Sequence, residues 1–298
     1  MHFLAIFTFA GLGDLMHCPC GLPKMTSTTT AAKPPIDAAE QAKNLCHWTL
    51  TGALVLAFLA QLFLGSNIAA LDLALIWLVF FVTITGLSRQ MPLQNALLGA
   101  GIAAVIGSLA HGLSTLHSLA IPFGPIYFHD ACGAKLFDFV PWPIPLLWVI
   151  ALFNSRGTAR VILRPWRKLK SYGYWLIGLT AVLTTAFDFA LEPFATDANH
   201  FWSWQLTKIP LTWYGTSPLN FVSWAFVTLL ILAFATPALI KKKPGSRSPL
   251  DVNPLAVWLG AIVFFAVGCA KATLWPAVAV DGAMALAVLV FAIPGARW

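Results

Sequence analysis

The stretch Tyr172–Pro193, YGYWLIGLTAVLTTAFDFALEP, is apolar along most of its length and closes on two carboxylates, Asp188 and Glu192, with Pro193 directly after them. A helix needs about 20 such residues to cross the hydrocarbon core of a bilayer. Placing a carboxylate in that core is costly, so an acid there marks a functional site by default. A spacing of four puts both side chains on one helix face, and Pro193 is expected to stop the helix just beyond them. Two carboxylates so close cannot easily both ionise, so one is expected to keep its proton near neutral pH. The combination points to acid chemistry on an apolar substrate.

The rest of the chain is of the same kind. Of its 298 residues, 59% are hydrophobic and 10% charged, where a soluble domain carries roughly 25% charged residues. Thirteen Trp and 22 Phe suit interfacial anchoring and an aromatic-lined interior. The net charge of +7 does not indicate nucleic acid, because the basic residues sit in short loops between apolar runs and form no stripe interleaved with stacking aromatics. The five cysteines, Cys18, Cys20, Cys46, Cys132 and Cys269, have neither an even count nor a metal-ligand spacing and read as inert thiols.

Eight spans are expected: 48–65, 68–87, 93 to the region of His111, 141 to either 154 or 163, 172–191, 218–240, 254–274 and a shorter one over 280–293. Charge supports the count. With the N-terminus cytoplasmic, 15 of the 18 Lys and Arg fall on the inner side, including six between Arg156 and Lys170; Lys135, Lys208 and Lys271 are the exceptions. That is the positive-inside pattern. The expected fold is therefore an all-α polytopic bundle of the inner cell membrane with both termini cytoplasmic and no nucleic-acid partner. Residues 1–46 read as a flexible N-terminal segment and 47–298 as the transmembrane domain. The polar stretch after Lys24, MTSTTTAAKPP, makes Met25 the expected start.

The same topology gathers the acids at the outer face. Asp130 and Asp138 lie between spans three and four, and Asp188, Glu192 and Asp197 at and after the end of span five. His117, His129, His200, Trp202, Trp204 and Trp213 fall there too. Gly99, Gly101 and Gly107 lie within an apolar span with no strand before them, so they read as close-packing positions and not as a nucleotide loop. His111 and His117, six apart, do not share a helix face and do not read as haem ligands.

Five blocks occur in order: IPFGPIYFHDACG (121–133), VPWPIPLLW (140–148), FDFALEP (187–193), HFWSW (200–204) and WYGTSPLNFVSW (213–224). On these the chain resembles the carotenoid biosynthesis membrane proteins, a family that holds hydratases of acyclic carotenoid end groups. The matching positions are Pro122, Phe123, Gly124, Tyr127, Asp130 and Gly133, then Pro141, Pro145 and Trp148. Asp188, Glu192 and Pro193 follow, then Trp202 and Trp204, and Tyr214, Gly215, Pro218, Asn220, Phe221 and Trp224 close the series. The chain departs from the family pattern in several places. SLAHGLSTLHSLA (108–120) holds histidines where an acid is common, Ile126 and Phe128 stand for tyrosines, and Glu192 stands where Asp is more usual.

The resemblance implies cofactor-independent, acid-catalysed hydration of a terminal double bond, a hydro-lyase reaction run toward the alcohol. The substrate is a carotenoid or other long isoprenoid lipid, with membrane lipids and other enzymes of carotenoid synthesis as neighbours. Such a reaction needs a carboxylic acid that holds its proton, aromatic faces for the cation, a group for water and an apolar groove. Asp188 and Glu192 would supply the acid and its partner. Asp130 or His129 would position water, and Trp202, Trp204 and Tyr214 would face the cation. Asn220 would orient a carboxyl group and Tyr127 would contact substrate. No metal is expected. Other readings share parts of this set: a proton-initiated isoprenoid cyclase or isomerase, a non-catalytic carotenoid-binding protein and a transporter. A transporter usually shows paired repeats, and no clear repeat relates the halves.

Overall fold

Away from water, only a helix satisfies every backbone N–H and C=O within one segment, and the apolar runs fold accordingly. The computed structural model describes residues 38–63, 69–116, 121–205, 211–239 and 251–297. Among these the helices are α1 (Ala38–Phe63), α2 (Ala69–Gln90), α3 (Leu93–Thr115), α4 (Pro143–Ile162), α5 (Tyr172–Pro193), α6 (Pro218–Leu239), α7 (Asn253–Lys271) and α8 (Trp275–Arg297). Five of them are long and apolar enough to cross a membrane: α3, α5 with its extension to Ala198, α6, α7 and α8. The fold is the all-α, membrane-type bundle expected. His117, Lys208, the basic run 241–247 and the N-terminal stretch through residue 37, with Met25, lie outside the described residues.

The surface of α6 shows why this is a membrane fold. Its outward positions Leu219, Val222, Phe226 and Phe234 are exposed, while Asn220, Ser223 and Thr228 are buried beside Trp224, Val227 and Ile231. A helix that is apolar on its outer face and carries its polar groups inward faces lipid, not water.

Polar contacts sort the helix ends. At one end Arg89 Nε donates to Asn44 Oδ1 (2.8 Å), Gln90 Nε2 to Asp251 Oδ2 (2.7 Å) and Arg160 Nη1 to Gln90 Oε1 (2.8 Å). These join the start of α1, the ends of α2 and α4 and the start of α7. At the other end, two connections are stitched by a two-stranded antiparallel ribbon of β1 (Ile126–Phe128) and β4 (Trp202–Trp204), in register Ile126↔Trp204, Tyr127↔Ser203 and Phe128↔Trp202. A second small ribbon pairs β2 (Lys135–Leu136) with β3 (Val140–Pro141). Thus the α3–α4 and α5–α6 connections converge, as the topology requires.

Several boundaries differ from the sequence expectation. The first helix begins at Ala38, taking in residues read as flexible tail; AAEQAKNL is rich in helix formers and places Glu40 in the first turn. The fourth takes the longer of its two readings. The eighth runs for 23 residues from Trp275, with Pro276 in the first turn, where its missing N–H costs nothing. Pro193 does not stop α5, which continues as a π turn through Ala198. The carbonyl that Pro193 cannot pair, that of Phe189, accepts from Trp213 Nε1 at 3.0 Å.

Small residues set the helix spacing at α3. A Cβ on Gly107 would lie 2.2 Å from Trp148 Cγ, and one on Gly99 would press on Leu239 and Phe153, whereas Gly101 faces open space. Trp148 cannot retreat, since its ring stacks on Trp224 at 3.9 Å and 16°. Gly107→Ala is expected to cost about 1–3 kcal/mol through overpacking, read as a lowered Tm in detergent followed by tryptophan fluorescence.

Candidate active site

Along α5 the buried polar residues recur every four positions: Thr180, Thr184, Asp188, Glu192 and Thr196. The threonines settle their hydroxyls on the carbonyls one turn back, Thr184 on Thr180 O (2.8 Å) and Thr196 on Glu192 O (2.8 Å). The two acids have no such internal solution. Both are 1% exposed, so their partners come from elsewhere.

Glu192 is well supplied. Its Oε2 accepts from Thr216 Oγ1 (2.7 Å), Trp204 Nε1 (2.8 Å) and Trp202 Nε1 (3.3 Å), and its Oε1 from Asn220 Nδ2 (3.3 Å). Asp188 is poorly supplied. Its Oδ2 accepts from the same Asn220 Nδ2 at 2.7 Å, while its Oδ1 is buried without a hydrogen-bond partner. Both acids therefore meet on one amide nitrogen of α6. The pair is thus unequal, with four donors on Glu192 and one on Asp188.

Local structure places each donor. Alternation in β4 turns Trp202 and Trp204 to the same side, with Ile126 and Phe128 opposite them. Thr216 closes a tight turn in which Trp213 and Thr216 exchange both backbone hydrogen bonds at 2.9 Å. Tyr214 and Gly215, between them, have φ of 48° and 79°, the pair of positive values that a primed turn requires. Trp213 stacks on Phe189 at 4.7 Å and locks this turn to α5. Burial pushes the Tyr214 hydroxyl above its ordinary pKa; a backbone hydrogen bond with Ala277 opposes this, and nearby Cys269, Asp197 and Asp281 add to it.

Other residues singled out from the sequence stand apart. Tyr127, His129 and Asp130 are exposed. Tyr127 pairs with Ser203 in the ribbon register, and His129 Nε2 lies 3.0 Å from Ser203 Oγ. Asp130 begins a short 3₁₀ turn and accepts from Gly133 N through its carbonyl. Asp188, Glu192, Asn220, Trp202 and Trp204 are brought together; Asp130 and His129 are not brought to them. Tyr214 sits in the turn that delivers Thr216.

Two residues escaped the sequence reading. Thr216 carries no motif of its own, and only its place just before Asn220 hinted at it. Asp281 lies in α8, 0% exposed, with neither carboxyl oxygen hydrogen-bonded; its acid within an apolar span was the available signal. Among the described residues no three His, Cys, Asp or Glu side chains converge as metal ligands would.

A cavity of about 240 Å³ lies between α1, α2, α4, α5 and α7, lined on α5 by chain neighbours of the two acids and not by the acids themselves. Its lining is almost wholly apolar, and on α7 it extends from Asn253 to Phe265, about 18 Å at helical rise. Phe187 and Leu191 of α5, each one position before an acid, line it with Phe194 of the following π turn and with Trp202. The Trp202 ring is thus a shared wall, facing the cavity while its Nε1 reaches Glu192. Cys132 also lines the cavity, and burial pushes its thiol up to about 12. Because the thiolate is the nucleophile, maleimide at neutral pH is expected to modify exposed Cys46 and spare buried Cys132 and Cys269, as mapped by peptide mass.

Residues 72–290 match the model of the family described as carotenoid biosynthesis protein. The match takes in well over half of the chain, and the chain belongs to that family. No curated protein and no solved structure matches it.

Proposed function

From this membership in the carotenoid biosynthesis family, we propose that the protein adds water to the terminal double bond of an acyclic carotenoid. The observation that carries the reading is the unequal pair beside an apolar cavity. Glu192 has donors enough to remain ionised, and Asp188, with one donor and a bare Oδ1, carries the proton. Asp188 gives that proton to the less substituted alkene carbon, leaving a tertiary cation at its neighbour. Water adds to the cation through oxygen, and its surplus proton returns to the Asp188 carboxylate. The step balances with water alone, without cofactor or redox partner.

Aromatic faces stabilise such a cation within about 6 Å of a ring centroid. Trp202 and Trp204, held at the site by their bonds to Glu192, would supply those faces. The cavity takes one end of the polyene, which enters from lipid. The alternation of polar helix ends supports eight crossings with both ends of the described chain at the cytoplasmic face of the inner membrane. Other enzymes of carotenoid synthesis would supply the substrate within the same bilayer.

Expression in cells that make a defined acyclic carotenoid tests the reading, with pigments analysed by mass. A pigment heavier by one or two waters is expected. A new pigment of unchanged mass would instead favour proton-initiated isomerisation or cyclisation, which uses the same acid and excludes water. Unaltered pigment that copurifies with the protein would leave a carotenoid-binding role.

A further inference from the structure

We infer that Asn220 Oδ1 and Asp188 Oδ1 together form the seat of the reacting water; this rests on the hydration reading above. The amide of Asn220 must turn its nitrogen toward the two carboxylates, since only N–H can donate to them. Its oxygen therefore points elsewhere, and it is buried without a hydrogen-bond partner, on a residue 0% exposed. Asp188 Oδ1 is in the same condition, on the other member of a 2.7 Å hydrogen bond. Unpartnered buried polar atoms cost about 1–3 kcal/mol each, so these two, on residues joined by one hydrogen bond, call for a partner brought from outside the chain.

Water fits this demand better than any ligand hydroxyl. Once Asp188 has given its proton to the alkene both oxygens are acceptors, and water, with two O–H donors on one atom, can serve both at once, whereas an alcohol serves one. With both protons so engaged, its lone pairs are left for the cation. Once Asp188 has given up its proton, its carboxylate is the base beside that water, so one residue serves as acid and then as base. The exposed Asp130 and His129, expected from the sequence to hold the water, are not placed to do so.

Purified protein turning over an acyclic carotenoid in D2O separates the steps. Proton donation places deuterium at the vinylic carbon of recovered alkene, and capture of water gives the alcohol. Asn220→Ala and the more conservative Asn220→Ser are expected to lower the ratio of alcohol formation to deuterium exchange by roughly 10²-fold, the scale of a lost proton-transfer or positioning group. An unchanged ratio in either folded variant overturns the seat and leaves the hydration reading intact. The wild type supplies a measurement that needs no variant: with low-percentage methanol present, no methyl ether is expected, and ether formed alongside alcohol also overturns the seat. A wild type that shows neither exchange nor alcohol sinks the hydration reading and the seat with it.

Discussion

Asp188→Asn is expected to lower formation of hydrated carotenoid by about 10²–10⁴-fold, the range for removing a general acid, with little change in protein yield or Tm. The substitution is nearly isosteric. The new carboxamide oxygen still accepts from Asn220 Nδ2, and its NH2 takes the place of an oxygen that has no partner. Stability should therefore hold or rise while the transferable proton is lost. Product per unit of protein in carotenoid-producing cells, beside a thermal melt in detergent, separates the two effects. Unaltered product from a folded Asp188→Asn protein would remove Asp188 from the chemistry.

Glu192→Leu is expected to do the reverse and damage the fold itself. It strands Thr216 Oγ1, Trp204 Nε1 and Trp202 Nε1, which all donate to one carboxylate oxygen. Breaking a buried charged network from one side typically costs about 3–5 kcal/mol, a large share of a domain's total stability. Folded yield after detergent extraction should fall sharply, with a broad or early melt. Glu192→Gln, which keeps an acceptor for the three donors, should recover much of the yield. A Leu variant that melts like the wild type would show that Glu192 does not organise the ribbon and the turn.

The helices were legible because a bilayer imposes a length on apolar runs, and the runs here are close to that length. The acid pair was legible for the same reason, as the costliest residues in one of those runs. The ribbon was not legible: two strands of three residues each carry too little period to register. Pro193 does not end its helix, because the carbonyl it frees is taken by an indole from beyond the next strand, a partner that the sequence of α5 alone does not reveal. The eighth span is longer than expected at its start, because Trp275 and Pro276 open a helix that carries Asp281 inside it and buries it. Asp130 and His129 were placed in the site by their shared membrane face, a coarse coordinate that cannot distinguish a buried ribbon side from an exposed one.

The partners of Asp188 and Glu192 all follow them in the chain: Trp202, Trp204, Thr216 and Asn220. During synthesis α5 therefore leaves the ribosome carrying two acids whose donors do not yet exist. Alone in lipid that segment would hold unpaired carboxyl groups at considerable cost, a cost that the later donors relieve. Delivery of the ribbon strand and α6 is therefore expected to stabilise α5 in the bilayer, and α5 through α6 to assemble as one unit.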